Sequence, residues 1–537
     1  MKGKMMPLFI LCLLVGILSA CGNKKATTVK EDDKADEQTR KDELVLAIGS
    51  EPEDGFDPIT GWGRYGSPLF QSTLLSYDEN FQLVGDLATD YSLSEDSLEW
   101  QVKIRQNIQF SDGEAVRADD VVFTFSEAKN SNSVIDLSNL ESIHASDDNT
   151  VIFTLKQPDS TFIAHLASIG IVPQHAYNEK YHEKPIGSGP YQLVEWNRGQ
   201  QLIVEKNPYY YGNESFFKRL TFLFTEADAA YAAAQAGQVD VAVVQPRLAD
   251  KKVDGMKLVE LESVDNRGIV FPYVPSGQVN DNGDPIGNDV TSDPLIRKAI
   301  NMAVNRKELV ENVLEGYGTP AYSVADQLPW WNPDTAFEDG NLDEAANMLD
   351  EAGWQMNSNG VREKDGIPAS FTLLYATGDE QRQSLAMAFA SMMQPLGIEV
   401  ETAGKSWNDL ERLMHSHPVL FGWGSHTPLE MYHLYSTSTT GKGYYNPNYY
   451  SNKKVDEYME KAIHANSPEE ANEYWKKAQW DGEIGFSVAG DAPWAWLVNV
   501  EHLYVIREDL EIGRQKIQPH GHGWPMTDFI QNWRLIE

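Results

Sequence analysis

Residues 98–125 read Leu-Glu-Trp-Gln-Val-Lys-Ile-Arg-Gln-Asn-Ile-Gln-Phe-Ser-Asp-Gly-Glu-Ala-Val-Arg-Ala-Asp-Asp-Val-Val-Phe-Thr-Phe. Leu98, Trp100, Val102 and Ile104 fall on alternate positions, the period of a half-buried strand. Asp112-Gly113 is a turn pair that favours a hairpin. Ala118 to Phe125 carries Asp119 and Asp120 in what reads as the acidic first turn of a helix. Strand, turn and helix in one short stretch point to an α/β chain.

Working outward, the same alternation continues. Leu44–Ile48 is a short apolar run closed by Gly49 and reads as a buried strand. Pro68–Leu75 reads as a helix, and Val151–Leu155, Gln192–Trp196 and Gln201–Asn207 as strands. Tyr231–Gly237 ends a helix on glycine, and Val239–Val244 is a strand directly after it. Further on, 293–314 has the pattern of a helix pair. Leu342–Ala352 and Gln381–Leu396 read as helices, Ser370–Tyr375 and Gly397–Glu401 as strands. Between the halves, 275–293 is rich in Asn, Asp and Gly. Its Asn280, Asn282 and Asp284 faintly suggest a calcium loop, but Pro285 stands where the glycine belongs and no glutamate closes the twelfth place, so a plain surface loop is expected.

Four segments now carry a resemblance: Arg105–Gly113, Gly187–Tyr191 with Trp196, Asn207–Gly212, and Ile296–Arg306. In kind and order they resemble landmarks of the family 5 extracellular solute-binding proteins, the receptors of oligopeptide, dipeptide and nickel ABC importers. The resemblance implies an α/β fold of two periplasmic-binding-protein-like lobes around a ligand cleft, with a small extra subdomain in the first lobe. On that basis lobe I is expected over 44–275 with the subdomain at about 85–185, lobe II over 276–495, and a return to lobe I over 496–537. It also implies permease and ATPase partners and a likeness to monomeric receptors.

The N-terminus bears on where the protein works. Lys2 and Lys4 precede an apolar run from Pro7 to Ile17, and Leu18-Ser19-Ala20-Cys21 is followed by polar residues. Residues 1–20 read as a secretory signal, too short to span a bilayer as a mature helix. Leu-Ser-Ala-Cys resembles the lipobox of bacterial lipoproteins, so Cys21 is expected to carry lipid at the outer face of the cell membrane. Residues 21–43 are then a flexible tether, since they offer almost nothing to bury. Cys12 lies inside the signal, which leaves no cysteine pair for a disulfide. The formal net charge of -36 excludes a basic surface for nucleic acid.

No P-loop, Gly-x-Ser-x-Gly elbow or His-Glu-x-x-His helix occurs, so no enzyme is indicated and no cofactor is required. The strongest ligand segment is Leu420–Tyr432. An apolar strand end passes into a loop with two glycines that present Trp423, Ser425, His426 and Thr427. Peptide receptors of the family commonly carry an aspartate in the corresponding segment to pair a peptide's α-amino group. This chain has none from Phe421 to Tyr435, which leaves Glu430 as a nearby acid. Across the cleft, Gly61–Gly66 offers Trp62, Arg64 and Tyr65, with Arg64 suited to a carboxylate. His520 and His522 flank one glycine and form a candidate metal pair, which His426, His415 or His417 would complete.

Two cargo classes stay open, a peptide and a nickel or metal-chelate solute. The same fold also serves a peptide-signal receptor or, given a convergent nucleophile and base, an extracytoplasmic hydrolase. The anchor is testable alone: Cys21→Ala should abolish acyl labelling and membrane attachment, and a variant labelled as strongly as the wild type would rule out lipidation at Cys21.

Overall fold

The computed structural model describes residues 42–52, 54–131, 135–521 and 523–536. The lipobox, nearly all of the tether and His522 lie outside the described residues. Among the described residues no helix is long and apolar enough to cross a membrane.

Two large sheets organise the molecule. The first has seven strands in the order Met256–Leu261, His502–Arg507, Val241–Val243, Glu43–Gly49, Arg219–Phe224, Gln201–Lys206 and Tyr191–Asn197. Glu43–Gly49 sits at its centre, parallel to both neighbours. That position buries both faces, and Leu44, Leu46 and Ala47 are almost wholly inaccessible. The second sheet runs Gly318–Pro320, Trp494–Val500, Asn266–Val270, Val419–Trp423, Ser370–Ala376 and Glu399–Lys405. Each sheet is the floor of one lobe.

Sheet membership moves the expected boundaries. Asn266–Val270 already pairs with Val419–Trp423, so the chain enters the second lobe just after Leu261, earlier than 275. Trp494–Val500 still belongs to the second sheet, and the return begins at His502, later than 496. The early strand was hidden because Asn266 and Arg267 open it with polar side chains that are nevertheless buried.

The opening stretch becomes the heart of the extra subdomain. Glu99–Ile104 lies between Ala88–Leu93 and Thr150–Leu155 in a four-stranded antiparallel sheet with Leu140–Asp147 at the edge. The helix that follows spans Ala118–Asn130, and the Asp120 carboxylate accepts the Arg117 amide at 2.9 Å, one of the otherwise unpaired donors at a helix start. Asp112-Gly113 makes a tight turn closed by a single Gln109–Ala115 bridge, so no two-strand hairpin forms.

Residues 68–75 are not helical. They form a buried extended segment whose carbonyls serve neighbours: Phe70 accepts the Gly189 amide at 2.8 Å and Ser72 the Ile171 amide at 2.9 Å. Gly187 explains the close approach, because a Cβ there would lie 2.1 Å from the Phe70 carbonyl oxygen. Tertiary pairing has overridden a helical pattern.

Ile296–Arg306 carries the second lobe. Helices Pro294–Ala303 and Arg306–Val313 pack on its sheet, and Arg297 and Arg306 are both buried. The Arg306 guanidinium donates to the carbonyls of Ala321, Trp496 and Asn301 at 2.9, 2.6 and 3.0 Å and to Asp339 at 2.8 Å. Arg297 donates to the carbonyls of Thr291, Ser292 and Asp491 at 2.8, 2.9 and 2.9 Å. Removing one such arginine orphans several buried oxygens at once. Arg306→Met should therefore lower unfolding free energy by about 3–5 kcal/mol in urea titration; a loss below about 1 kcal/mol would show that this network does not support the lobe.

Candidate functional site

A cavity of ≈ 260 Å³ lies between the lobes. The first lobe contributes Gly63, Arg64 and Gly66, the subdomain Asp136, Asp159 and His165, and the second lobe Trp423, Ser425, His426, Thr427, Glu430 and His433.

The second-lobe wall follows from its local sequence. Strand Val419–Trp423 ends opposite Asn266, whose side-chain oxygen accepts the Trp423 amide at 3.2 Å. Gly424 then turns the chain at φ +144, where a Cβ would sit 2.2 Å from the Val264 carbonyl oxygen. Its N–H donates to Glu430 at 3.2 Å, the Ser425 N–H to the other carboxylate oxygen at 2.9 Å, and its carbonyl accepts the His520 N–H at 2.7 Å. The loop is thus fixed from three directions. Helix Leu429–Tyr435 places Glu430 and His433 three residues apart on one face.

Electrostatics follow from burial. Desolvation pushes the Glu430 carboxyl up to about 7, against the loop amides and Arg64, which oppose the rise. His433 is held down to about 4 by burial and by the charge of Arg64, and its ring stacks on Tyr445 at 4.1 Å. Burial and Arg64 also lower His165, although Asp159 and Asp136 pull the other way. Burial disfavours the Arg64 charge itself, but Tyr65, Tyr445 and Glu430 outweigh it and raise its pKa. At neutral pH the cavity thus presents a fixed guanidinium, the neutral imidazoles of His433 and His165, and a Glu430 carboxyl close to its titration midpoint.

Of the residues singled out in the sequence, Arg64, Trp423, Ser425, His426 and Thr427 meet at this cavity. Trp62 does not. Its ring packs edge-on against Phe56 at 4.9 Å and Trp524 at 5.4 Å, and its Nε1–H donates to the Pro68 carbonyl at 2.6 Å. Tyr65 lies behind Arg64, beside the His520 ring. The Trp423 Nε1 is buried without a partner among the described residues.

Of the candidate metal histidines, His520 and His426 are among the described residues, whereas His522 lies outside them. His520 Nδ1 is hydrogen-bonded to the buried Asp265, and His426 Nε2–H donates to the Ile517 carbonyl at 2.9 Å while Phe81 packs on its ring at 4.8 Å. Among the described residues no group of three or more His, Cys, Asp or Glu could hold a metal ion. Sequence reading missed His165, His433 and His464, which also line the cavity. For His433 a signal existed in its spacing from Glu430 on the helix after the glycine loop; for His165 and His464 there was none.

These features define a two-lobed fold with a cavity between the lobes. The model of the bacterial extracellular solute-binding proteins, family 5 Middle, matches residues 82–446, and the chain belongs to that family. It is 32% identical to Protein XP55 of Streptomyces lividans over 481 residues, 87% of this chain and 85% of that protein. It is 28% identical to the oligopeptide-binding protein AppA of Bacillus subtilis over 540 residues, 95% and 96% of the two chains. In structure it is similar to NikZ from Campylobacter jejuni in complex with Ni(L-His), with a TM-score of 0.78 at 24% identity over 92% of this chain and 99% of that one.

The raised Glu430 value gives a pH test. Folding favours its protonated form, so that contribution is fully present below about 4.5 and is lost as pH rises through about 7. Relative to Glu430→Gln, the wild type should lose on the order of 3 kcal/mol of stability across this window. A difference between the two that stays flat from pH 4 to 8 would contradict the assignment.

Proposed function

We propose that this chain is the substrate-binding lipoprotein of an ABC importer, lipid-anchored through Cys21 at the outer face of the cell membrane. It acts as a monomer, catalyses nothing, and delivers its cargo to permease subunits driven by their ATPases. The observation that carries the reading is the enclosed cavity, whose walls come from both lobes and the subdomain. A solute touching all of them binds the closed form better than any open one and so shifts the population toward closure.

Cargo follows from size and charge. The cavity is smaller than the roughly 300–1,000 Å³ usual for drug-sized ligands, which favours a very short peptide or a compact metal chelate. Arg64 supplies a cation for a carboxylate in either case. A peptide's ammonium group would meet Glu430 or Asp136. A nickel chelate would arrive with most of its coordination sphere filled and use one or two imidazoles, His433 and His165 being neutral and so able to ligate. The His520 and His522 pair is the second candidate for the metal.

Calorimetry with nickel–histidine, free nickel and mixed di- and tripeptides distinguishes the cargoes. If the chelate is bound, His433→Ala should weaken it by tenfold or more while Arg64→Ala weakens both classes. Scattering should show a smaller radius of gyration with whichever binds. If none of the three binds and the radius never changes, the solute-capture reading is wrong.

A further inference from the structure

Helix Lys453–Ile463 in the second lobe ends without the glycine that usually closes a helix; Ile463 is followed by His464-Ala465-Asn466-Ser467. Its last carbonyls are met from the other side of the cleft. Ser160 of the subdomain donates its N–H to the Ile463 carbonyl at 2.7 Å and its Oγ–H to the Ala462 carbonyl at 2.8 Å. His464 replies by donating Nδ1–H to the Pro158 carbonyl at 2.6 Å.

The subdomain side is built to present that serine. Asp159 accepts the Thr161 amide at 2.9 Å and the Thr161 hydroxyl at 2.7 Å, and its other oxygen accepts from Asn139 at 3.2 Å. The turn this makes leaves the Ser160 N–H and Oγ–H directed at the helix end. Asp159, Ile463 and His464 all line the cavity, so the contact lies at its wall. A short flanking bond, Ser97 Oγ to Asn466 Oδ1 at 3.2 Å, extends the same seam.

We propose that Ser160 is a helix cap lent across the cleft: a latch that forms only when the lobes meet, seals this wall of the cavity and sustains a closed population. The proposal rests on the gap between the lobes being the solute cleft. A helix leaves its final carbonyls short of donors; the Ala465 N–H reaches the Ala462 carbonyl at 3.4 Å, and water completes the Ile463 carbonyl when the lobes part. Closing replaces that water with oriented donors from the subdomain, and it adds no apolar area that would make reopening slow. Ser160 is thus a positioning residue, acting on the closed geometry through the helix end.

Spin labels on Glu141→Cys and Glu469→Cys, both exposed, report the distance across the seam in the full chain carrying Cys12→Ser and Cys21→Ser. Without added solute the wild type should show a short-distance population. Ser160→Ala should lower its ratio to the long-distance population about fivefold, and adding His464→Ala should lower it further. Ser160→Thr, which keeps both donors, should restore the wild-type ratio. Helical content by circular dichroism should stay constant throughout, because the helix end remains hydrated. A wild type with no short population, a ratio that Ser160→Ala leaves unchanged, or opening by Ser160→Thr equal to that of Ser160→Ala would each overturn the latch. The readout needs no cargo, so a latch that fails while calorimetry still finds a bound solute leaves the receptor reading intact, and the reverse result leaves the latch intact.

Discussion

Everything in this molecule turns on one buried carboxylate, Asp265. It stands where the chain first crosses between lobes, is 3% exposed, and is paired with Arg267, His502 and His520. Burial alone would raise its pKa, but Arg267, His520 and His502 reverse that and hold the carboxyl well below the usual range. The three partners come from three different passages of chain between the lobes: the outgoing strand, the returning strand, and the segment around 518–520. A buried charge stripped of its partners costs several kcal/mol, so the three passages cannot drift apart independently. Asp265 thereby ties the three passages together where they run between the lobes.

The lobes can behave as bodies because each has its own core. Trp354, Phe371 and Phe389 lie in second-lobe clusters, Trp100, Phe125 and Phe153 in the subdomain, and Leu46, Phe222 and Trp533 in the first lobe. Among the described residues these clusters stay largely within their lobes, and Phe81 is an apolar side chain that crosses, its ring 4.8 Å from that of His426 and 6.4 Å from that of Trp330. Polar contacts bridge the cleft as well: the Ser160 seam, Tyr317 Oη–H to Asp250 at 2.7 Å, and Arg247 near Glu380 at 4.0 Å. Exposed contacts of that last kind contribute little. The cavity inherits its character from the same arrangement, which brings Arg64 of the first lobe to the same cavity as Glu430 and His433 of the second. In a chain of net charge -36, one guanidinium held among neutral imidazoles makes a local exception to the prevailing potential.

The sequence revealed this unevenly, for physical reasons. Loops that need glycine announce themselves: Gly422 and Gly424 bracket Trp423, and Ser425, His426 and Thr427 follow in the cavity wall. The buried arginines of Ile296–Arg306 were visible as a motif but not as a structural anchor, because a charged side chain inside a core contradicts its ordinary preference. Asn266–Val270 escaped as a strand for the same reason, and with it the true lobe boundary. The pairing of His520 with Asp265 was not legible, because histidine spacing says nothing about a carboxylate 255 residues away in sequence. Trp62 looked like a cleft residue because its neighbours are glycines, yet an indole gains more from Phe56 and Trp524 than from an open loop.

A receptor of this kind must close on a solute and later let it go, and the choice of polar seams over apolar ones serves both steps. A hydrogen bond exchanged for one to water gains about 0.5–1.5 kcal/mol net, so the few bonds across this cleft leave open and closed forms within a few kcal/mol of each other. A solute then needs only a modest differential affinity to favour the closed form, whereas moving a 1:99 population to 99:1 takes about 5.5 kcal/mol. Burying a single large side chain at the same seam would supply about 1.5–3 kcal/mol that the permease would have to undo at every delivery. The helix end at Ile463 suits the purpose because its carbonyls are satisfied in either state, by water when open and by Ser160 when closed. Closure at that seam gains only the small net difference between those bonds, and the solute decides the balance.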